Sequence, residues 1–183
     1  MATTHDQLAT GRRRQQGLTL LEVAIVVAVA AIVAATAAPS FSALLDSRRL
    51  DSAATRLAAD IQLARSEAIA RNRSLRLSVF AGAGASCWIV HSGAAADCSC
   101  SDAGAVCGGD ARAIKSVALP SRERVSVAAN VASIVFDPLH GTSTPTGTLR
   151  LVGARGAVHH VVNVVGRVRS CSPEGVVAGY SPC

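Results

Sequence analysis

Residues 18–38 read LTLLEVAIVVAVAAIVAATAA. Glu22 is the one charged residue in this stretch. A helix rises ~1.5 Å per residue, so this run spans about 32 Å, enough for a bilayer core of ~30 Å. Three arginines, Arg12–Arg14, directly precede the run and favour a cytoplasmic N-terminus. The sequence therefore predicts a single membrane-spanning helix, with the rest of the chain on the outer side.

A cleaved secretory signal is the alternative for this N-terminus. Such a signal has an apolar stretch of ~7–15 residues followed by a small-residue cleavage site, and Ala35–Ala38 could imitate that site. The apolar run here is longer than that, and an acid near its start, Glu22, is out of place in a secretory signal. These two features favour the retained membrane helix.

Composition and charge set broad limits on the rest of the chain. Its 183 residues suggest one domain with appendages, and aromatic residues make up only 3%, so the core must be built from small aliphatic side chains. The formal net charge is +6, from 18 basic and 12 acidic residues. Residues 1–17 carry three arginines and one aspartate, so the remainder is mildly basic. That charge permits an anionic partner without requiring one.

Residues 39–72 continue as a helix of a different character. Apolar side chains recur every three or four positions and form one stripe, which predicts an amphipathic helix. Pro39 is expected to kink the joint without breaking it, and Asn72 is the expected stop. The stripe consists of Leu50, Ala54, Leu57, Ile61, Ala64 and Ala68.

Beyond this helix the apolar period changes to two, which is typical of strands. Residues 74–80 (SLRLSVF) alternate cleanly. Further strands are predicted at 86–91, 113–119, 124–129, 132–136, 147–152, 157–165 and 167–171. Residues 92–111 are predicted to be an irregular, disulfide-tied loop. The predicted fold class is α+β: a long N-terminal helix with a membrane half (18–38) and an amphipathic half (39–72), packed on an antiparallel β domain (73–183).

Six cysteines in a chain with an export-type N-terminus indicate disulfides formed in an oxidising compartment. Cys171 and Cys183 bracket the C-terminal tail, residues 171–183, and are expected to pair. The other four are then expected to pair among themselves. A zinc site is the alternative for part of this set, but the export context and the C-x-C spacing disfavour it. The remaining cysteines are Cys87, Cys98, Cys100 and Cys107.

The hexapeptide Gly17-Leu18-Thr19-Leu20-Leu21-Glu22 resembles the cleavage motif of type IV prepilins. The resemblance implies that a prepilin peptidase removes residues 1–17 and methylates the new amine of Leu18. A flexible glycine suits a protease cleft. Glu22, costly in lipid if unpaired, would pair with the N-terminal amine of a neighbouring subunit. Leu18 departs from the usual Phe, and a plain membrane anchor remains the alternative.

Near the C-terminus, Gly166-Arg167-Val168-Arg169 resembles the Gly-Arg-x-Arg motif of the FimT/GspH family. This family includes minor pilins of type IV pili and minor pseudopilins of type II secretion. In some members the region is implicated in binding DNA during natural transformation. The resemblance thus implies a pilin-like fold and a DNA-binding role for Gly166, Arg167 and Arg169.

The chemistry of these residues agrees with phosphate contact. In a strand, Arg167 and Arg169 project to the same face, and two guanidinium groups on one face can bind phosphates. Arg150 and Arg155 lie in the preceding hairpin and are expected to widen the patch. Binding should be directed to the DNA backbone and insensitive to sequence, because no interleaved aromatic residues provide a stacking platform. The alternative is a solvated strand face with an ion pair to Glu174.

No spacing of histidines, serines and carboxylates indicates a catalytic triad or a metal site, so we expect neither an enzyme nor a cofactor. The expected protein is a minor type IV pilin that joins the pilus and binds DNA non-specifically, aiding natural transformation. The alternatives are a minor pseudopilin of type II secretion and a minor pilin that only primes assembly. The expected partners are other pilin or pseudopilin subunits, the prepilin peptidase, DNA and, before assembly, the inner membrane. The β domain is expected to be periplasmic, and the assembled filament periplasmic or extracellular.

Overall fold

The computed structural model describes residues 19–82, 85–101 and 104–183. The chain divides into two compact units, one ending at Ser40 and one comprising Phe41–Cys183. One helix, α1, runs from Leu20 to Ala70 and contributes residues to both units. Gly17 and Leu18, the predicted processing residues, lie outside the described residues.

The first unit contains the apolar part of α1. Its side chains are exposed from Leu20 to Ala38, and an 18-residue window reaches a mean hydropathy of 2.6. Within the described residues, α1 is the one helix long and apolar enough to cross a membrane. The Thr19 hydroxyl accepts a hydrogen bond from the Glu22 backbone N–H at 3.2 Å, so Thr19 caps the helix.

In the second unit α1 carries the predicted apolar stripe, and the structure confirms it. Leu50, Leu57 and Ile61 are 0–1% exposed, as are the alanines of the stripe. Burying a leucine or isoleucine side chain contributes about 1.5–3 kcal/mol, so this stripe anchors the helix on the β domain. The helix ends at Ala70, and Asn72 adopts a positive φ of 49° just beyond it. Asparagine tolerates this left-handed conformation better than most residues.

The strands form two main antiparallel sheets and one small hairpin. The first sheet has the order β5-β2-β1-β7-β8, the second β11-β10-β9-β6, and β3 pairs with β4. A short 3-10 helix, Ser121–Glu123, separates β5 from β6. The strands are β1 Leu75–Ala81, β2 Ala85–His91, β3 Cys98–Ser101, β4 Gly104–Cys107, β5 Ala113–Pro120, β6 Val125–Ala129, β7 Ser133–Phe136, β8 Ser143–Thr144, β9 Gly147–Gly153, β10 Gly156–Val162 and β11 Val168–Cys171.

Two predictions about local structure need correction. The strand expected over 157–165 ends at Val162, and the one expected at 167 begins at Val168, because the intervening residues form a hydrogen-bonded turn. The segment 92–111 is not irregular throughout, since it contains the β3–β4 hairpin. Cys98 and Cys107 are partners in that hairpin and are disulfide-bonded. A cross-strand disulfide holds a hairpin without an alternating apolar pattern, which is why the pattern did not predict it.

A buried polar cluster joins α1 to the first sheet. Asp60, fully buried, accepts a hydrogen bond of 2.8 Å from the Trp88 indole N–H. Its other carboxylate oxygen lies 2.5 Å from the ammonium nitrogen of Lys115. Lys115 belongs to the edge strand β5, and its side chain is 38% exposed, so its charge stays close to water. The cluster fixes the helix against β2 and β5.

Candidate nucleic-acid interface

The Gly-Arg-x-Arg segment lies at the turn between β10 and β11. Three hydrogen bonds involving Asn163 close this turn. The backbone N–H of Asn163 donates to the Arg167 carbonyl at 3.1 Å, and the backbone N–H of Gly166 donates to the Asn163 carbonyl at 2.9 Å. The backbone N–H of Arg167 donates to Asn163 Oδ1 at 2.9 Å. Arg167 therefore sits in a fixed turn directly before β11.

Gly166 satisfies two conditions that only glycine meets. Its φ is +73°, a left-handed conformation that costs other residues free energy. A Cβ at this position would lie 2.7 Å from the Gly141 carbonyl oxygen and 2.9 Å from Arg65 Cδ. The turn is thus packed directly against the β7–β8 loop and the helix. Glycine has a structural reason here, independent of any ligand.

Strand register places Arg150 and Arg169 on the same face of the second sheet. Arg169 is paired with Val161, and Arg150 is paired with His159, two residues earlier on β10. Directly paired residues project to the same side, so both arginines point away from the helix. Burial, and then the nearby Arg150 charge, lower the pKa of His159, which agrees with this placement. The opposite side of β10, at Val158, is fully buried.

The structure does not bring Arg155 to this group. Arg155 lies in the β9–β10 turn, whereas Arg167 follows the other end of β10. Seven strand residues span about 23 Å, so the two arginines are at opposite ends of the hairpin. Arg155 instead lines a cleft with Ser47 of α1 and Val176 of the tail. The expectation that Arg155 widens a patch around Arg167 is therefore not met by its position.

All four arginines proposed for DNA contact have exposed side chains: Arg150, Arg155, Arg167 and Arg169. Within residues 19–82, 85–101 and 104–183, none of them lies within 4 Å of a carboxylate. The ion pair to Glu174 considered from the sequence is absent from this part of the chain. Their charges are therefore available to an external anion.

Exposed valines accompany the arginines on this surface. Val152 and Val161 project to the same side as Arg150 and Arg169 and are 48% and 39% exposed. Val164 and Val165, in the β10–β11 turn, are also exposed. The surface is thus basic and partly apolar. We call it the outer face, meaning the outward side of β9–β11 together with the turn 163–167.

The tail is an ordered segment beside β11. Cys171 and Cys183 are disulfide-bonded, and Ser172 forms a parallel bridge with Pro182. Val177 is buried in the main core. The other two disulfides join Cys87 to Cys100 and Cys98 to Cys107, so those sulfurs are not free to bind zinc.

Arg65 is a neighbour of the motif that sequence reasoning did not identify. It lies off the apolar stripe of α1, and its Nε–H donates to the Gly141 carbonyl at 2.9 Å. No sequence signal connects Arg65 to a turn about 100 residues later, because the contact depends on how two loops pack on the helix. Glu22, the predicted assembly residue, is exposed on the first turn of α1. The described residues contain no group of His, Cys, Asp or Glu that could hold a metal ion.

Comparison with known proteins places the chain in a family. The family model described as type II transport protein GspH matches residues 53–166, which is 114 of the 183 residues. The model of the prokaryotic N-terminal methylation motif matches residues 12–38. No curated protein matches this sequence.

Two crystal forms of the type IV minor pilin FimU from Pseudomonas aeruginosa are similar in structure. They show 18% and 19% identity and TM-scores of 0.49 and 0.48. In both cases 66% of this chain is covered, with 87% and 91% of the FimU chain. Proteins of the GspH type are structural, pilin-like subunits whose partners are other pilin subunits. Because the GspH model matches more than half of its length, this chain belongs to the GspH family of type IV pilin-like proteins.

Proposed function

We propose that this chain is a minor type IV pilin that binds DNA non-specifically through its outer face and thereby aids natural transformation. The observation that carries the proposal is that Arg150 and Arg169 share one exposed side of the second sheet, with exposed Arg167 in the adjoining turn. None of the three has a carboxylate partner in the described chain. Guanidinium groups bind phosphate oxygens through forked, charge-assisted hydrogen bonds. A surface of this kind reads the DNA backbone and not the bases.

The binding experiment uses the full-length chain in a non-ionic detergent with fluorescently labelled duplexes of unrelated sequence. Each phosphate contact releases counterions, so affinity should fall linearly with salt on a logarithmic plot, by a slope of about 0.9 per contact. Changing Arg167 and Arg169 together to Gln should lower affinity at least about tenfold and reduce that slope by roughly 2. Unrelated duplexes should bind within a few-fold of each other.

The matched control removes two arginines elsewhere. Arg48 and Arg56 are exposed on α1 and have no carboxylate within 4 Å in the described chain. Changing both to Gln alters the net charge by the same amount as the test pair. Equal losses for the two pairs would mean that binding follows net charge alone, which would exclude a specific site on the outer face.

A second candidate function rests on the exposed valines. An apolar surface rimmed by arginines is also typical of protein–protein interfaces, where arginine is enriched. This observation favours the alternative roles, a minor pseudopilin of type II secretion or a minor pilin that primes assembly. Changing Val152 and Val161 to Ser would then reduce filament assembly, whereas DNA capture through the arginines predicts intact filaments.

Processing and assembly form a further part of the proposal. We infer cleavage after Gly17, methylation of Leu18, and pairing of Glu22 with the N-terminal amine of a neighbouring subunit before the filament forms. The match of the methylation motif at residues 12–38 supports the first two steps. An unpaired ionised residue in the bilayer costs ~2.5–3.5 kcal/mol on insertion scales, which supports the third. Mass spectrometry of the purified filament should find a methylated Leu18 terminus, and Glu22→Ala should prevent incorporation.

A further inference from the structure

Arg65, on α1, packs against the turn that contains the Gly-Arg-x-Arg motif. Its Nε donates to the Gly141 carbonyl at 2.9 Å. A Cβ built at Gly166 would lie 2.9 Å from Arg65 Cδ and 3.0 Å from its Nε. The Arg65 side chain therefore lies directly against the backbone of the residue that precedes Arg167. Gly166 is thus packed against Arg65 of α1 and is followed directly in the chain by Arg167.

The hydrogen bond to Gly141 uses one of the five donors of the Arg65 guanidinium. No acceptor for its two Nη groups occurs among the described residues. A buried Nη group without a hydrogen-bond partner would be an unsatisfied buried donor, and Arg65 has none. Both Nη groups therefore reach solvent. If Arg65 only held the turn in place, the Nε contact alone would suffice. The remaining N–H groups form the forked edge that binds a phosphate bidentately.

The carboxylates near this point are already engaged. Asp137, in the neighbouring β7–β8 loop, accepts hydrogen bonds from the backbone N–H groups of Leu139 and His140 and lies 3.4 Å from the His140 ring. These contacts, led by the His140 N–H, lower the pKa of Asp137. Glu67, two residues after Arg65 on α1, pairs with Arg71. Neither acid neutralises Arg65.

We propose that Arg65 is a further phosphate-binding residue, which together with Arg167 clamps a phosphodiester group of DNA beside the turn 163–167. This inference rests on the proposed DNA-binding function and extends its site from the sheet to α1. Arg65 is half-buried and already oriented by Gly141, so it loses less conformational entropy on binding than a free surface arginine. Because Gly166 is buried against Gly141 and Arg65, the groups left to bind a phosphate are the solvent-reaching Nη groups of Arg65.

The test compares Arg65→Gln in the full-length chain with Arg56→Gln, the same charge change at an exposed position of the same helix. Affinity for a labelled duplex is measured over a range of salt concentrations. Arg65→Gln should weaken binding about fivefold to tenfold and lower the logarithmic salt slope by about 0.9, as expected for one lost phosphate contact. Arg56→Gln should change the slope by clearly less.

Making Arg65→Gln in an Arg167→Gln background distinguishes two roles of Arg65: direct contact with DNA, and positioning of Arg167. A direct contact gives a further loss of affinity and a further drop in slope, whereas a residue acting only through Arg167 gives neither. An unchanged slope for Arg65→Gln, with a normal effect of Arg167→Gln, would overturn the Arg65 assignment and leave the proposed function intact. No effect of either substitution would overturn both.

A second measurement uses the wild-type chain, so it does not require that Arg65→Gln folds. In the wild-type chain with isotope-labelled arginine, the Nε–Hε NMR signal of Arg65 should shift when the duplex is added, together with that of Arg167. A shift at Arg167 alone would contradict the clamp. This measurement decides the question if Arg65→Gln lowers the melting temperature.

Discussion

The Tyr180 hydroxyl donates a hydrogen bond of 3.0 Å to Asp51 Oδ1, across 129 positions of sequence. It joins the C-terminal tail to α1, and burial is the main cause that raises the pKa of Tyr180. Tyr180→Phe should therefore lower the free energy of unfolding by about 1.5–3 kcal/mol, the usual contribution of a hydrogen bond to a charged acceptor. Urea unfolding measures this. A double-mutant cycle with Asp51→Asn should show coupling, and strict additivity would mean that the bond contributes nothing.

Gly166→Ala should destabilise the fold more than the same change at a comparable turn. Both Gly166 and Gly109 have positive φ, 73° and 60°, so both substitutions incur conformational strain. Only Gly166 also has backbone within 2.7 Å of the new methyl group, whereas nothing lies within 4 Å at Gly109. We expect a loss of about 1 kcal/mol for Gly109→Ala and about 2–3 kcal/mol for Gly166→Ala. Equal losses would show that the contact with Gly141 is not tight.

The buried carboxylate of Asp60 gives a prediction about the core. Asp60→Leu alone leaves the Trp88 N–H and the Lys115 ammonium without their acceptor, and Lys115→Met alone leaves a buried charge without its cation. Each should cost about 2–4 kcal/mol in unfolding free energy, at the lower end for Lys115, whose side chain is partly solvated. The double variant should recover part of the sum, because paired apolar substitutions remove the desolvation penalty together. A double variant less stable than the sum of both losses would contradict this.

His160 should make stability depend on pH. Burial lowers its pKa from 6.5 to about 4, while its Nδ1 lies 2.8 Å from the Ser170 hydroxyl. The unfolded chain therefore binds more protons than the folded chain between about pH 6.5 and 4, and stability must fall as the pH drops through that window. Between pH 7 and pH 5 the loss should be about 2 kcal/mol. His160→Gln should remove most of this loss, whereas His140→Gln, at an exposed position, should retain it.

Periodicity predicted the part of the fold that repeats. The stripe from Leu50 to Ala68 follows from its three- and four-residue spacing, and the structure buries all of it. The same pattern could not identify Asp60 as buried, because a charged residue enters a core only when distant partners such as Lys115 neutralise it. The prediction that Arg150 lies in the hairpin before the motif agrees with the structure, where Arg150 and Arg169 share the outward side of the sheet.

The alternation of side chains along a strand does not show which end of a hairpin a residue occupies. For that reason Arg155 was predicted to lie near Arg167, although the two are at opposite ends of the hairpin. Arg65 was missed for a related reason. Arg65 contacts Gly166 where two loops pack against α1, and a contact between such distant residues leaves no periodic pattern in the sequence. The β3–β4 hairpin was missed because disulfides take the place of an apolar alternation.

The most direct test of the central claim is the transformation frequency of a strain that carries Arg167→Ala and Arg169→Ala in the chromosomal copy, with surface pili counted in the same cells. If these arginines contact phosphate and not other subunits, DNA uptake should fall at least about tenfold while pilus number stays at the wild-type level. The Arg48→Ala and Arg56→Ala pair should leave both quantities unchanged. Normal transformation with normal pili would contradict DNA capture by the outer face, and loss of pili would assign these arginines to assembly instead.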